Sequence, residues 1–449
     1  MRLFGTDGVR SLANKAPMDS DTVLKLGQAL AHYIGRDGKK NKKILIGKDT
    51  RLSGYMLENA LVSGICSMGV TAQLIGPIPT PGVAFMTRGM RADAGIMISA
   101  SHNPFEDNGI KIFGPDGFKL PDHVEDEMEA LMFSKALNSF RAGPAEIGKA
   151  FRIDDATGRY VAYLKGCFYR TFKLDGIKIV LDTANGAAYK VAPMVFRELG
   201  AEVVLVGGEP NGTNINDGVG SLFPENIAKL VVEEKANIGI SLDGDADRVI
   251  LVDETGKIVD GDHLLAVLAL HFKEHGQLVN NGVVGTVMSN LGLEMFLKEH
   301  DIKFIRTAVG DRYVLEKMIA DGYNMGGEQS GHFIVLDYNT TGDGVLTALM
   351  FLSIMIKAGK SVSQLTGMMK MLPQMLINIK VSKKPPLETL DKVQAEIKAA
   401  ETLLAHNGRL LVRYSGTENK ARVMVEAQDE GLCKSIAQKL AEVIREELA

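Results

Sequence analysis

No stretch of about 20 apolar residues occurs in the 449-residue sequence, so no membrane-spanning helix and no membrane partner is expected. The opening "MRLFGTDGVRSLA" lacks an apolar run of about 7–15 residues, so it does not read as a secretory signal. Cysteine is scarce: Cys66, Cys167 and Cys433 lie far apart, with no CxxC spacing. That pattern predicts reduced thiols in a cytoplasmic protein. An excess of basic charge is missing too. The net charge of −4 argues against nucleic acid as the main partner. G-x-S-x-G is absent, which excludes a nucleophile elbow of the hydrolase type.

What is abundant is glycine: 48 of 449 residues, above the usual share of about 7%. The glycines fall in turns at strand ends, where α/β proteins bind ligands. A weak internal repeat accompanies them. Residues 42–76, 177–207 and 281–310 each read as a β-branched strand, a loop with Thr or Ser, a helix, a glycine and a second strand. Three such βαβ units predict three related α/β domains around mixed, mostly parallel sheets. Residues 134–150 read as a connector. The last 75 or so residues differ. There "MLINIKVS", "LDKVQAEIKAAETLL", "GRLLVRYSG", "KARVMVEA" and the terminal amphipathic stretch read βαββα, a smaller α+β domain. The predicted domains are 1–150, 151–255, 256–370 and 371–449.

"ANIGISLDGDADRVILVDETG" contains Asp243, Asp245 and Asp247. In an extended segment, residues two apart project to one side. Three gathered carboxylates repel one another unless a cation lies between them, and hard oxygen ligands favour Mg²⁺ or Ca²⁺. The spacing also matches positions 1, 3 and 5 of an EF-hand loop, with Glu254 at position 12. That reading fails because Arg248 stands where the loop needs glycine, and the flanks are strand-like. Arg248 beside the aspartates suits a metal-and-phosphate site, since guanidinium can fork onto phosphate oxygens.

"DAGIMIS" reads as a buried strand leading into "ASHNPFEDNG". The loop offers Ser99, Ser101 and His102 at a strand's C-terminal end. A serine hydroxyl is a weak nucleophile without a base or metal, and His102 with an aspartate-held metal could supply that help. Its composition is equally that of an ordinary turn.

"SASHNP", "DGDADR", "GGEQSGH" and "RYSGTEN" follow in the order and spacing of the α-D-phosphohexomutase superfamily, which the chain resembles over essentially its full length. "FGTDGVR" and "GGEQSGH" look like its amino-sugar branch. The resemblance implies three α/β domains and a TBP-like C-terminal α+β domain around a central cleft. It implies an isomerase that interconverts glucosamine 6-phosphate and glucosamine 1-phosphate. The route is a phosphoserine and a 1,6-bisphosphate, which also serves as activator, in the supply of UDP-N-acetylglucosamine and peptidoglycan precursors. Glucose and mannose phosphates are the alternative substrates on the same fold.

The resemblance assigns the phosphoserine to Ser101 rather than Ser99, by position in the motif. It has Mg²⁺ held by Asp243, Asp245, Asp247 and the phosphate on Ser101. Arg10, His102, Lys111 and His332 match positions near the reacting group, with acid–base work at Lys111 or His332. Arg248, Glu328 and Ser330 match substrate contacts. Arg413, Ser415, Gly416, Thr417 and Arg422 match the clamp on the non-reacting phosphate. A homodimer is compatible with the resemblance. Ser11 replaces a glycine usual in the family, and Tyr414 and Asn419 replace prolines. Phosphoryl transfer is mainly positioning and charge neutralisation, which these residue types supply. A phosphatase using Ser101, or a calcium-binding module, are the rival classes. Asp311 and Arg312 either pair structurally or approach the substrate.

Overall fold

β1 (Val9–Leu12), β2 (Lys43–Lys48), β3 (Thr71–Pro77), β4 (Ala94–Ile98), β5 (Asp107–Phe113) and β6 (Ala150–Arg152) form one sheet, ordered β1-β5-β4-β2-β3-β6, in the computed structural model. The structure describes residues 3–5, 7–169, 171–405, 407–415 and 419–448. β2, β3, β4 and β6 run parallel, while β5 is antiparallel to both β4 and β1. β4 is buried along its whole length, as its unbroken apolar run requires. Helices Ser20–Gly35, Ser53–Ser67 and Asp122–Met132 build the core with this sheet, through Leu26, Leu61, Ile96, Ile110 and Met128. The first two cross so closely that a Cβ on Gly64 would lie 2.2 Å from Leu24 O.

The same plan recurs twice. β7 (Lys178–Asp182), β8 (Glu202–Val206), β9 (Ile238–Leu242), β10 (Val249–Asp253) and β11 (Ile258–Val259) are ordered β11-β10-β9-β7-β8. β12 (Gly282–Thr286), β13 (Lys303–Thr307), β14 (Met325–Gly327) and β15 (Phe333–Val335) are ordered β13-β12-β14-β15. In each sheet a parallel set ends in one strand that turns back antiparallel: β4 to β5, β9 to β10 and β14 to β15. The three intervening loops, residues 99–106, 243–248 and 328–332, carry the three motifs singled out in the sequence.

Two local expectations change. Residues 134–150 are not merely a connector, since they lead into β6, which adds parallel to β3. That strand is exposed throughout and joins by backbone hydrogen bonds, so no apolar pattern announces it. Residues 243–247 are a turn rather than an extended segment. Ala246 N–H donates to Asp243 O over 3.0 Å, and Ala246 has φ +55°. The carboxylates converge because the turn wraps around them, not through strand alternation.

The chain divides into two compact units, residues 1–287 with 302–367, and residues 288–301 with 368–449. The three sheets above belong to the first. In the second, β16 (Gln374–Lys380), β17 (Gly408–Tyr414) and β18 (Lys420–Ala427) form an antiparallel sheet ordered β16-β18-β17. Helices Asp391–Leu404 and Glu430–Leu448 pack against it over Val393, Val423, Ile436 and Leu440. Helix Leu291–Glu299 also belongs here, because Asn290 exchanges two 3.0 Å hydrogen bonds with Leu372. Among the described residues no helix is long and apolar enough to cross a membrane. All three cysteines are free thiols.

Candidate active site

β4 delivers the chain into the serine loop, where two buried hydroxyls divide the work. Ser99 Oγ donates to Asp49 Oδ2 over 2.6 Å and accepts Ser101 N–H over 2.9 Å. Ser101 adopts φ +53°, a left-handed conformation that a serine takes only when its surroundings impose it. Its hydroxyl donates to Asp243 Oδ2 over 2.6 Å, and His102 Nδ1 lies 3.3 Å away. Ser99 is thus occupied in holding the loop, and Ser101 faces the aspartates.

The β9–β10 turn supplies those aspartates. Asp243, Asp245 and Asp247 are all buried, with one ligand atom from each within 4.8 Å of the others. Thr80 Oγ1 donates to Asp245 Oδ2 over 2.6 Å, and Arg248 N–H to Asp243 Oδ1 over 3.2 Å. Asp245 Oδ1 and Asp247 Oδ1 are buried with no hydrogen-bond partner. Unpartnered buried carboxylate oxygens are costly, and a hard divalent cation is the ligand their chemistry fits. Gly244 is required by closeness, since a Cβ there would lie 2.4 Å from Ser101 O.

β5 carries Lys111 into the same cluster, with Nζ 3.0 Å from Asp247 Oδ2, 3.2 Å from Asp245 Oδ2 and 3.3 Å from Asp7 Oδ2. Burial would lower its pKa, but these carboxylates outweigh burial and hold the ammonium charged. Arg10, on β1, reaches the same Asp7 oxygen over 2.8 Å. Burial pushes the Asp243 carboxyl well up, and Asp247 and Asp245 push the same way. Burial would raise Asp247 too, but Lys111, His332 and Arg248 hold it well below the usual carboxylate range. Burial, helped by Arg248 and Arg10, pushes His102 down to about 4, so its imidazole is neutral at neutral pH. His332 goes the other way. Burial opposes its charge, but Asp247, 3.7 Å from Nδ1, lifts it to about 9. His332 Nε2 is buried without a partner.

The β14–β15 loop positions Glu328 and His332 together. Glu328 N–H donates to His332 O over 2.9 Å, and Glu328 Oε1 accepts Gly310 N–H over 3.0 Å. Ser330 lies exposed on that loop. Arg312 is spent on Asp122 and Glu316 at 2.5 and 2.7 Å, a structural pairing. Asp311 starts helix Asp311–Asp321 and accepts Arg312 N–H over 2.8 Å.

In the second unit, Arg413 and Arg422 are directly opposed across β17 and β18 and share one face of the sheet. Burial and the neighbouring Arg422 cation lower the pKa of Arg413. Two guanidiniums opposed in this way suit an anion. Ser415 N–H donates to Lys420 O over 2.8 Å, and Ser415 O accepts Lys384 Nζ over 2.9 Å. Tyr414, which replaces a family proline, anchors its hydroxyl on Pro385 O at 2.7 Å. Gly416 and Thr417 lie outside the described residues.

Sequence reasoning missed Asp7, Asp49, Arg51 and Asn216. Asp49 and Arg51 sit in "KDTRLSG", at the C-terminal end of β2, and Asp7 sits in "FGTDGVR". Strand-end placement was the available signal, though nothing in either stretch reveals its three-dimensional partner.

The chain matches the phosphoglucomutase/phosphomannomutase models in four parts. These are alpha/beta/alpha domain I over residues 1–139, domain II over 158–256, domain III over 260–372 and the C-terminal domain over 376–443. It is 56% identical over 447 residues to a phosphoglucosamine mutase of Syntrophotalea carbinolica, covering 100% of this chain and 98% of that one. The chain belongs to the phosphoglucomutase/phosphomannomutase family. A phosphoglucosamine mutase of Geobacter metallireducens is 55% identical, with 100% and 99% covered. Among solved structures, a phosphoglucomutase/phosphomannomutase family protein from Burkholderia thailandensis shares the fold at TM-score 0.83, with 23% identity and 99% and 97% covered. So does an Aspergillus fumigatus N-acetylphosphoglucosamine mutase, solved with GlcNAc-6P and magnesium, at TM-score 0.68, with 17% identity and 100% and 96% covered.

Proposed function

We propose that the protein interconverts glucosamine 6-phosphate and glucosamine 1-phosphate, with Ser101 as the phosphate carrier. The observation that carries this reading is the Ser101 hydroxyl held 2.6 Å from Asp243 inside a cluster of three buried aspartates. The amino-sugar assignment is supported by full-length relatives at 52–56% identity that bear that activity's name.

The forward half-reaction breaks the P–O bond of phospho-Ser101. The free hydroxyl of the sugar phosphate bonds to phosphorus and gives up its proton, Ser101 Oγ takes up a proton, and the product is the 1,6-bisphosphate. After the bisphosphate reorients, Ser101 Oγ loses its proton and bonds to the other phosphorus. The bond from that phosphorus to the sugar oxygen breaks, and the sugar oxygen takes up a proton to free the isomeric monophosphate. Asp243, Asp245 and Asp247 would hold Mg²⁺ with a phosphate oxygen on Ser101. When bound, that ion offsets negative charge on the phosphoryl group. Lys111 and Arg10 add fixed positive charge beside it. We assign proton transfer to His332, whose Nε2 lacks a partner, and charge neutralisation to Lys111, whose ammonium three carboxylates keep protonated. His102, neutral and next to Ser101, orients the hydroxyl. Arg248, Glu328 and Ser330 contact the sugar phosphate. Arg413, Ser415, Gly416, Thr417 and Arg422 grip the phosphate that does not react. The four matched family segments support dividing these tasks among four domains.

A coupled assay for glucosamine 1-phosphate, run with and without a sugar bisphosphate primer, tests the reading. We expect turnover that the primer accelerates, and kcat/KM highest for glucosamine 6-phosphate among the glucosamine, glucose and mannose phosphates. A large preference for glucose or mannose would overturn the amino-sugar assignment. Net phosphate release without sugar 1-phosphate would make the protein a phosphatase.

A further inference from the structure

Ser101 O and Asn103 O are each gripped twice. Arg51, a fully buried guanidinium ion-paired to Asp49 at 2.8 Å, donates from Nη2 to Ser101 O over 2.9 Å and to Asn103 O over 2.8 Å. Its Nη1 reaches Pro104 O and, over 3.2 Å, Asp107 O. From the stretch between β8 and β9, Asn216 Nδ2 donates to the same two carbonyls, over 2.9 Å each. Asn216 is 8% exposed and stands in a left-handed conformation with φ +58°, its N–H bound to Ala184 O over 2.9 Å. Its stretch is seated on the segment that carries Arg51, because Leu52 N–H donates to Gly212 O over 2.8 Å. Gly244, two residues before Ala246 in the aspartate turn, approaches Ser101 O so closely that a Cβ there would lie 2.4 Å from it. The carbonyls of Ser101 and Asn103 are therefore pinned from the first and second sheets together.

We propose that Asn216 is a positioning residue for phosphoryl transfer. With Arg51 it fixes the Ser101–Asn103 carbonyls, so that Ser101 keeps its left-handed conformation and its hydroxyl stays aimed at Asp243. The inference rests on Ser101 being the phosphate carrier. Asn216 touches no reacting atom. Its contribution is to set where the serine oxygen stands relative to a cluster supplied by a different sheet. A displacement of about 1 Å at a reacting atom can cost up to a hundredfold in rate. The effect should therefore fall on kcat and leave substrate affinity alone.

Asn216→Gly removes the amide and keeps a residue at ease with φ +58°. Asn216→Asp keeps the shape and replaces the donor with an oxygen facing two carbonyls. For both variants we expect kcat to fall about 10- to 100-fold, with KM for glucosamine 6-phosphate within about twofold of the parent. Amide hydrogen exchange should speed up over residues 100–107 in Asn216→Gly and stay unchanged over β9 and β4. Parental kcat and loop exchange in Asn216→Gly would overturn the proposal. So would a rate loss accompanied by faster exchange throughout the fold, or full kcat in Asn216→Asp. If the parent enzyme turns over no hexose phosphate, the functional reading fails, while the loop exchange still reports on the clamp.

Discussion

The hydroxyl of Ser99 accepts the backbone N–H of Ser101 over 2.9 Å. Its only proton goes to Asp49, which leaves Ser101 as the hydroxyl that meets Asp243. Ser99→Ala is expected to keep phosphate on Ser101 while costing about 1–3 kcal/mol of stability, because the buried Asp49 oxygen and the Ser101 N–H lose a partner. Phosphopeptide mapping with a thermal melt checks both parts.

Lys111 is the one side chain that places a cation against Asp7, Asp245 and Asp247 at once among the described residues. Lys111→Ala should lower the melting temperature of chelator-treated protein, since the carboxylates then repel unopposed. Mg²⁺ should raise the melting temperature of this variant more than that of the parent. Its kcat should fall roughly 100-fold or more even with Mg²⁺ present. Chelation should stop turnover in the parent, and added Mg²⁺ should restore it.

His332 has its pKa lifted from 6.5 to about 9 by Asp247. In metal-free protein the pair therefore contributes stability that is fully present below about pH 6.5 and is lost as pH rises through about 9. His332→Gln should be less stable than the parent at about pH 6, with the gap narrowing by about 2–3 kcal/mol by about pH 10. Denaturant titrations across that range measure it.

Glu125 is buried in helix Asp122–Met132, with Lys119 Nζ 3.5 Å from its carboxylate. Burial raises its pKa from 4.5 to about 7. The folded protein then binds this proton more tightly than the unfolded chain, so stability falls from about pH 4.5 to about pH 7 and levels off above. Glu125→Gln lacks that fall. Its stability relative to the parent should rise by about 2 kcal/mol between about pH 4.5 and pH 8.

The repeat of strand, helix and strand was legible because strands buried on both faces, such as "KILIG" and "IVLD", need unbroken apolar runs. The aspartates and the serine loop were legible because their chemistry is unusual. Their meeting was not, since Ser101 and Asp243 lie 142 positions apart and no local pattern encodes that contact. Nor was it legible that all three motif loops join a parallel strand to an antiparallel neighbour. That depends on strand order, which short-range periodicity does not carry. Arg51 and Asn216 escaped for the same reason: each spends its polar atoms on backbone carbonyls, and carbonyls leave no mark in a sequence. The choice of Ser101 over Ser99 rested on motif position, and the Ser99–Asp49 hydrogen bond supplies its physical cause.

The most direct measurement is phosphopeptide analysis of the active enzyme before and after glucosamine 6-phosphate is added in slight excess, with Ser101→Ala in parallel. The account predicts phosphate on Ser101 of the parent, its appearance in the sugar 1,6-bisphosphate on mixing, and no turnover by Ser101→Ala. Phosphate on Ser99 instead, no phosphate in fully active enzyme, or full activity in Ser101→Ala would contradict it.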